Sequence, residues 1–163
     1  MILKGRIWKL KDNIDTDLIY PGKYLPIIDA EEMALHALEG LDKEFPGKIK
    51  KGDIIVAGKN FGCGSSREQA ATSLKSAGIA CVVAKSFSRI FFRNAINQGL
   101  ALVQSEKAHE FAEEGEQITI DFDIGELILN DKKLNFAPLP DFIAEILKSG
   151  GLIPYIKKKL KQK

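Results

Sequence analysis

The chain has 163 residues, 45% of them apolar, which is enough for one well-filled core and too few for two domains of ordinary size. Its 24 basic and 22 acidic residues leave a formal charge of +2, and the one dense basic run, KKKLKQK at the C-terminus, reads as a solvated helix end, so the chain lacks the basic face that nucleic acid needs. No apolar run approaches the about 20 residues of a membrane span, and the opening MILKGRIWKLKDN has charges where a secretory leader would be apolar.

ILKGRIWKL alternates as a strand does, and DNIDTDLIYPGKY after it, dense in Asp, Asn, Pro and Gly, reads as a loop. DAEEMALHALE, residues 29–39, reads as a helix with Asp29 as its N-cap and acids in its first turn. GLDKEFPGKIKKG returns the chain along the surface. DIIVAG, residues 53–58, is a continuous apolar run of the buried parallel-strand type, followed by a glycine turn and a helix over about 66–77. IACVVA repeats the strand signal, SFSRIFFRNAIN gives another helix and GLALV a third strand. This alternation specifies a parallel α/β core.

EQITIDFDIGELILNDKKLNF alternates with period two and is broken at Ile-Gly and Asn-Asp, which marks antiparallel strands joined by tight turns and adds a β layer to the core. PLPDFIAEILKSGG ends as a helix with Pro140 and Asp141 at its start and Gly150 and Gly151 past its end, and LIPYIKKKLK is a last short helix. Nothing divides the chain, so a single domain over 1–163 is expected. Cys63 and Cys81 are too far apart for a CxxC element and too few to staple a domain, so a reducing, cytoplasmic setting is expected.

The chemistry concentrates in NFGCGSSREQ, residues 60–69. A strand feeding a Gly-rich turn and then a helix leaves unpaired N–H groups pointing outward, a cradle for carboxylate or phosphate. The same stretch holds two capping-box frames, Ser65 with Glu68 and Ser66 with Gln69, so helix initiation alone is the competing reading. Arg67 stands where a dinucleotide-binding turn wants its third glycine, and no Gly-Lys-Ser/Thr follows for a P-loop. Ser65 and Ser66 lack the frame of an esterase elbow, and His36 and His109 read as ordinary surface helix residues. Cys63 reads as a small residue in a tight turn or as a nucleophile beside a helix N-terminus. What remains is a hydroxyl among N–H donors beside a guanidinium: the serine can serve as a base and Arg67 can clamp a carboxylate.

NFGCGSSREQAATSLKSAGIACVVAKSFSRIFFRNAINQGL, together with the upstream DNIDTDLIYPGKYL, resembles the swivelling domain of the aconitase superfamily, in particular the small subunits of 3-isopropylmalate dehydratase. The resemblance runs essentially end to end. It implies a three-layer β/β/α domain that works with a separate large subunit carrying a [4Fe-4S] cluster, with no cofactor or metal ligand of its own. Two distant cysteines agree with this, since such clusters use three thiolate ligands. It further implies dehydration of 2-isopropylmalate to isopropylmaleate and rehydration to 3-isopropylmalate, with iron as Lewis acid and a protein base removing the carbon-bound proton. The matching base is Ser65, and Ser66 and Arg67 are expected to bind substrate carboxylate.

Thr16 and Asp17 match the upstream active-site segment. Asp17 either pairs with Arg67 or orients a substrate group, and an Asx-type turn is the competing structural reading. Ser86, Arg89 and Arg93 lie in a family-like block that a capped amphipathic helix also explains. Substrate choice is expected in Tyr24, Leu25, Pro26 and Ile27: homoaconitase-like members carry an Arg in this loop for a third carboxylate, whereas the apolar YLPI suits an isopropyl group. Packing of YLPI into the core is the alternative for that loop. For the chain, the alternatives are a homoaconitase or a maleate or dimethylmalate hydro-lyase small subunit, and a non-catalytic anion-binding regulatory module. The segment from Asp15 to Ile27 is expected to be mobile without the large subunit, unless self-association of the isolated chain pins it.

Overall fold

The structure, a computed structural model, describes residues 1–163. Its strands are β1 (Ile2–Lys9), β2 (Ile54–Ala57), β3 (Cys81–Ala84), β4 (Ala101–Gln104), β5 (Gln117–Asp121), β6 (Glu126–Leu129) and β7 (Lys132–Asn135). The helices are α1 (Thr16–Ile19), α2 (Ala30–Ala34), α3 (Phe45–Lys48), α4 (Glu68–Ala77), α5 (Arg89–Gln98), α6 (Ala108–Phe111), α7 (Asp141–Lys148) and α8 (Leu152–Lys161). One sheet runs in the order β4-β3-β2-β1-β5-β6-β7. From β1 to β4 the pairs are parallel, with Ile7 opposite Ile54 and Ile54 opposite Cys81; from β1 through β5 to β7 they are antiparallel.

Alternation along these strands sorts their side chains into two cores. Ile55, Ala57, Val82, Ala84 and Leu102 face helices, where they meet Ala70, Ala71 and Leu74 of α4 and Phe91 and Ala95 of α5. Their neighbours Ile54, Val56, Cys81, Val83, Ala101 and Val103 face the other way and share a core with Ile118, Ile120, Leu127 and Leu129 of the antiparallel strands. The sheet therefore curls at β1, and the antiparallel half covers the face that the helices leave open. This is the β/β/α layering that the family resemblance implies. Because β2, β3 and β4 step in one direction, right-handed crossovers put α4 and α5 on a single face.

Three local readings are corrected. The helix expected over 29–39 ends at Ala34, although Asp29 caps it as expected by accepting from Glu32 N; residues 35–41 continue as turns. The DNIDTDLIYPGKY segment is not plain loop: it holds α1, capped by Asp15, and a 3-10 turn over Gly22–Tyr24. The helix expected from 66 begins at Glu68 with Arg67 as N-cap and no side-chain capping bond, so neither capping box forms.

Candidate active site

The two motifs, nearly fifty residues apart in sequence, lie side by side. Beyond the ends of β1 and β2, Lys59 N donates to Asp12 Oδ1 at 2.7 Å, Asn13 N to Lys59 O at 2.7 Å, and Asn60 Nδ2 to Asn13 Oδ1 at 3.0 Å. Gly62 N then donates to Ile14 O, Thr16 N to Cys63 O, and Thr16 Oγ1 to Ser65 O, at 2.8, 2.9 and 2.9 Å. Arg67 Nη1 closes the run on Asp17 Oδ1 at 2.8 Å and on Tyr20 O at 3.0 Å. Parallel pairing of β1 and β2 is thus prolonged by backbone and side-chain bonds together until it reaches the start of α4.

A third segment pins the turn from behind. Ser86 Oγ accepts from Asn60 N at 2.8 Å, Ser88 Oγ donates to Gly62 O at 2.8 Å, and Phe61 N donates to Ser86 O at 3.0 Å. Phe61, buried under the turn, meets Phe91 edge-on with centroids 5.2 Å apart. Gly62 and Gly64 take φ of 79° and 96°, and a Cβ on Gly62 would lie 2.2 Å from Phe91 Cγ, so the floor admits only glycine there.

What this scaffold presents is a row of donors. The backbone N–H groups from Gly64 through Gln69 donate to no acceptor within the chain. Ser65 and Ser66 are exposed at their mouth with hydroxyls free of protein partners, whereas Thr16, beneath them, is only 3% exposed. The Arg67 side chain is 16% exposed and spends Nη1 on Asp17 and Tyr20, leaving its other nitrogens for a ligand. The Arg67 hydrogen bond, helped by the Gly22 N–H, holds the Asp17 carboxyl below the usual carboxylate range. A site with free amides, a helix N-terminus and a guanidinium favours a negatively charged ligand and stabilises an alkoxide.

Beside the donors lies an open cleft of about 220 Å³ with an apolar wall of Leu25, Ile27, Ile28 and Met33 and a polar wall of Glu68, Gln69 and Thr72 of α4. The expected specificity loop therefore divides: Leu25 and Ile27 line the cleft, Pro26 is exposed, and Tyr24 turns away toward Glu39 and His36. Arg89 and Arg93 do not join the site; they are exposed on α5 along a separate groove with Phe87, Phe92 and Gln104. His36 is not a surface helix residue but stacks on Tyr24, and His109 Nε2 is hydrogen-bonded with Leu10 O at 2.8 Å.

Sequence reasoning missed Asn13, Asn60, Ser88 and Tyr20. Ser88 was recoverable as an N-cap before an apolar helix, since its hydroxyl accepts from Phe91 N. Asn13 and Asn60 have φ of 57° and 58°, the left-handed conformation that Asn tolerates, but their pairing across the fold leaves no local signal.

No three His, Cys, Asp or Glu side chains come together as a metal site. Cys81 is fully buried in β3, where burial pushes its thiol well above the usual value, and Cys63 sits alone in the turn. These residues do not fit an iron-sulfur cluster. No helix is long and apolar enough to cross a membrane.

Fold and site together define a swivelling-type domain that offers a serine and an arginine on an anion cradle. The family model for the aconitase C-terminal domain matches residues 12–108. An isopropylmalate/citramalate isomerase small subunit from Methanocaldococcus jannaschii is 50% identical over 98% of this chain and 96% of its own. A 3-isopropylmalate dehydratase small subunit from Caldicellulosiruptor saccharolyticus is 51% identical over 99% of this chain and 95% of its own. The crystal structure of 3-isopropylmalate dehydratase from Methanocaldococcus jannaschii matches with a TM-score of 0.92 at 47% identity, covering 99% of this chain and 98% of that one. The chain belongs to the aconitase C-terminal domain family, in its branch of 3-isopropylmalate dehydratase small subunits.

Proposed function

We propose that this single-domain chain is the small subunit of a hydro-lyase that isomerises 2-isopropylmalate to 3-isopropylmalate in leucine biosynthesis, a reading supported by the dehydratase and isomerase names of its relatives, and that it acts only with a large subunit bearing a [4Fe-4S] cluster. The observation that carries the reading is the alignment of Thr16 and Asp17 with Ser65 and Arg67, which leaves the 64–69 amides free beside a cleft with one apolar wall.

In this reading the amides and the α4 N-terminus stabilise Ser65 Oγ as an alkoxide, and Ser65 removes the carbon-bound proton of the substrate. The substrate hydroxyl leaves as the carbon–carbon double bond of isopropylmaleate forms, and water adds back across that bond with the hydroxyl on the neighbouring carbon while Ser65 returns the proton. Arg67 and Ser66 hold a substrate carboxylate through the reaction. Asp17 and Tyr20 O fix the guanidinium, and Thr16 fixes the backbone of Ser65. The partner's cluster supplies Lewis acidity toward the hydroxyl; the residues of this chain supply the proton transfer, the carboxylate clamp and the apolar wall.

The apolar wall of Leu25, Ile27, Ile28 and Met33 suits the isopropyl side chain better than a third carboxylate, to which the cleft offers no cationic partner and beside which Glu68 sets a like charge. Anaerobic co-expression with a cluster-bearing large subunit and assay on 2-isopropylmalate and homoaconitate tests this. Turnover of isopropylmalate is expected. Turnover of homoaconitate alone would sink the cleft argument, and a complex inert toward both diacids would sink the assignment.

A further inference from the structure

We propose that Glu39, together with His36, is a positioning residue for the substrate loop: by anchoring Tyr24 it fixes Leu25 and Ile27 in the cleft wall and so sets the affinity for the branched side chain without touching the reacting atoms. The inference rests on the isopropylmalate reading of that cleft.

Tyr24 is held at both ends. Its phenol donates to Glu39 Oε1 at 2.6 Å, and its carbonyl accepts from the phenol of Tyr20 at 2.8 Å. The Tyr24 ring lies on His36 with centroids 3.6 Å apart and planes 15° from parallel, and His36 Nδ1 is 2.5 Å from Glu39 Oε2. Burial works against the Glu39 charge, but the hydrogen bonds from Tyr24 and His36 outweigh it and hold the carboxyl below its usual range. The bond to Glu39 likewise raises the Tyr24 phenol. At neutral pH this is a carboxylate facing a neutral phenol, a charge-assisted bond that resists exchange with water.

The base of this strut is itself fixed. Leu38 N donates to Ile19 O at 2.7 Å, and Ala37 and Leu38 are fully buried. Leu38 takes φ of 61°, a conformation that disfavours a residue with a Cβ. That turn, past the end of α2, places Glu39 against Tyr24. The strut therefore stands on α1, which also carries Thr16 and Asp17, and Tyr20 ties it to Arg67 through its carbonyl. The loop beyond Tyr24 has short local bonds, Leu25 N to Gly22 O at 3.1 Å and Ile27 N to Tyr24 O at 3.0 Å, so the orientation of Leu25 and Ile27 follows that of Tyr24.

The test compares 2-isopropylmalate with citramalate, whose side chain is a single methyl, in the complex with the large subunit. Glu39→Ala and Tyr24→Phe are each expected to raise KM for isopropylmalate about tenfold, with kcat and the KM for citramalate within about threefold of wild type. Glu39→Gln, which keeps an acceptor for the Tyr24 hydroxyl, is expected to restore most of that loss. Equal losses on both diacids, a fall in kcat alone, or no change in KM would overturn the proposal. Amide hydrogen exchange on the isolated subunit probes the strut independently of activity. Glu39→Ala should speed exchange of Tyr24, Leu25 and Ile27 about tenfold while Ile55 and Val82 stay protected, and unchanged exchange at the loop would overturn the strut even in a complex that proved inactive.

Discussion

Replacing Thr16 by Val removes the hydroxyl that donates to Ser65 O and keeps a branched side chain in a position only 3% exposed. The Ser65 carbonyl lies at an exposed residue and can turn to water, so the loss is that of an ordinary hydrogen bond, about 1 kcal/mol. For a chain of this length that lowers Tm by about 2–4 °C. The effect on turnover should be larger. Between Cys63 O, which accepts from Thr16 N, and Arg67, whose guanidinium holds Asp17 and Tyr20 O, the Thr16 hydroxyl makes the only hydrogen bond to residues 64–66. A shift of about 1 Å in a reacting group costs up to about a hundredfold, so kcat should fall roughly 10- to 100-fold with KM little changed, because Arg67 keeps its own partners. Thr16→Ser is the control: it keeps the hydroxyl and loses a buried methyl, at a cost of about 1 kcal/mol. The two variants should melt at similar temperatures and differ in kcat of the complex. Equal kcat in both would refute the view that this hydroxyl positions Ser65.

Two further perturbations test the scaffold. Gly62→Ala introduces a Cβ at a φ of 79° against the buried Phe91 ring and should cost about 3 kcal/mol in urea unfolding; a loss under about 1 kcal/mol would mean that the aromatic floor yields. Asp53, 4% exposed, accepts on Oδ2 from Arg6, Trp8 Nε1 and Lys50 N at 2.8, 2.7 and 2.8 Å. Burial opposes its charge, but the Arg6 bond and then the Lys50 and Trp8 bonds prevail and hold its folded-state carboxyl below the unfolded value. A depressed carboxyl stabilises above the unfolded pKa of about 4 and loses that contribution as pH falls through the folded value. Asp53→Asn should therefore cost about 2 kcal/mol at pH 7, and the gap from wild type should close below about pH 4. A gap independent of pH would contradict the assignment.

The α/β core was legible because its strands are buried on both faces: DIIVAG and IACVVA are continuous apolar runs, a pattern that needs no partner to be recognised. The antiparallel strands were legible from alternation and from Gly125 and the Asn130-Asp131 pair, all at positive φ, in their turns. The start of α4 was not. Two capping boxes are written in the sequence, but Ser65 is drawn onto Thr16 from a remote segment and Arg67 onto Asp17, so tertiary bonds override the local signal and leave the amides free. The failure of α2 to run on to residue 39 was hidden in part for the same reason, since Leu38 N bonds to Ile19 O rather than to its neighbours in sequence. Of the site, Ser65 and Arg67 were visible as chemistry in a glycine turn and Asp17 as one of two options. Their juxtaposition depends on pairs such as Asp12 with Lys59 and Asn13 with Asn60, which no local pattern announces.

The proposed mechanism turns on Ser65 as the base. It is tested most directly by Ser65→Ala in a complex reconstituted anaerobically with the large subunit, measuring turnover of 2-isopropylmalate and subunit affinity on the same preparation. Ser65 is exposed and its hydroxyl has no partner within the chain, so the fold and the Thr16 bond to its carbonyl should survive the change. A catalytic base predicts a loss of turnover of about a thousandfold or more with subunit affinity unchanged. Turnover within about tenfold of wild type in an intact complex would contradict it, and would leave the cradle as a carboxylate-binding surface with the base elsewhere.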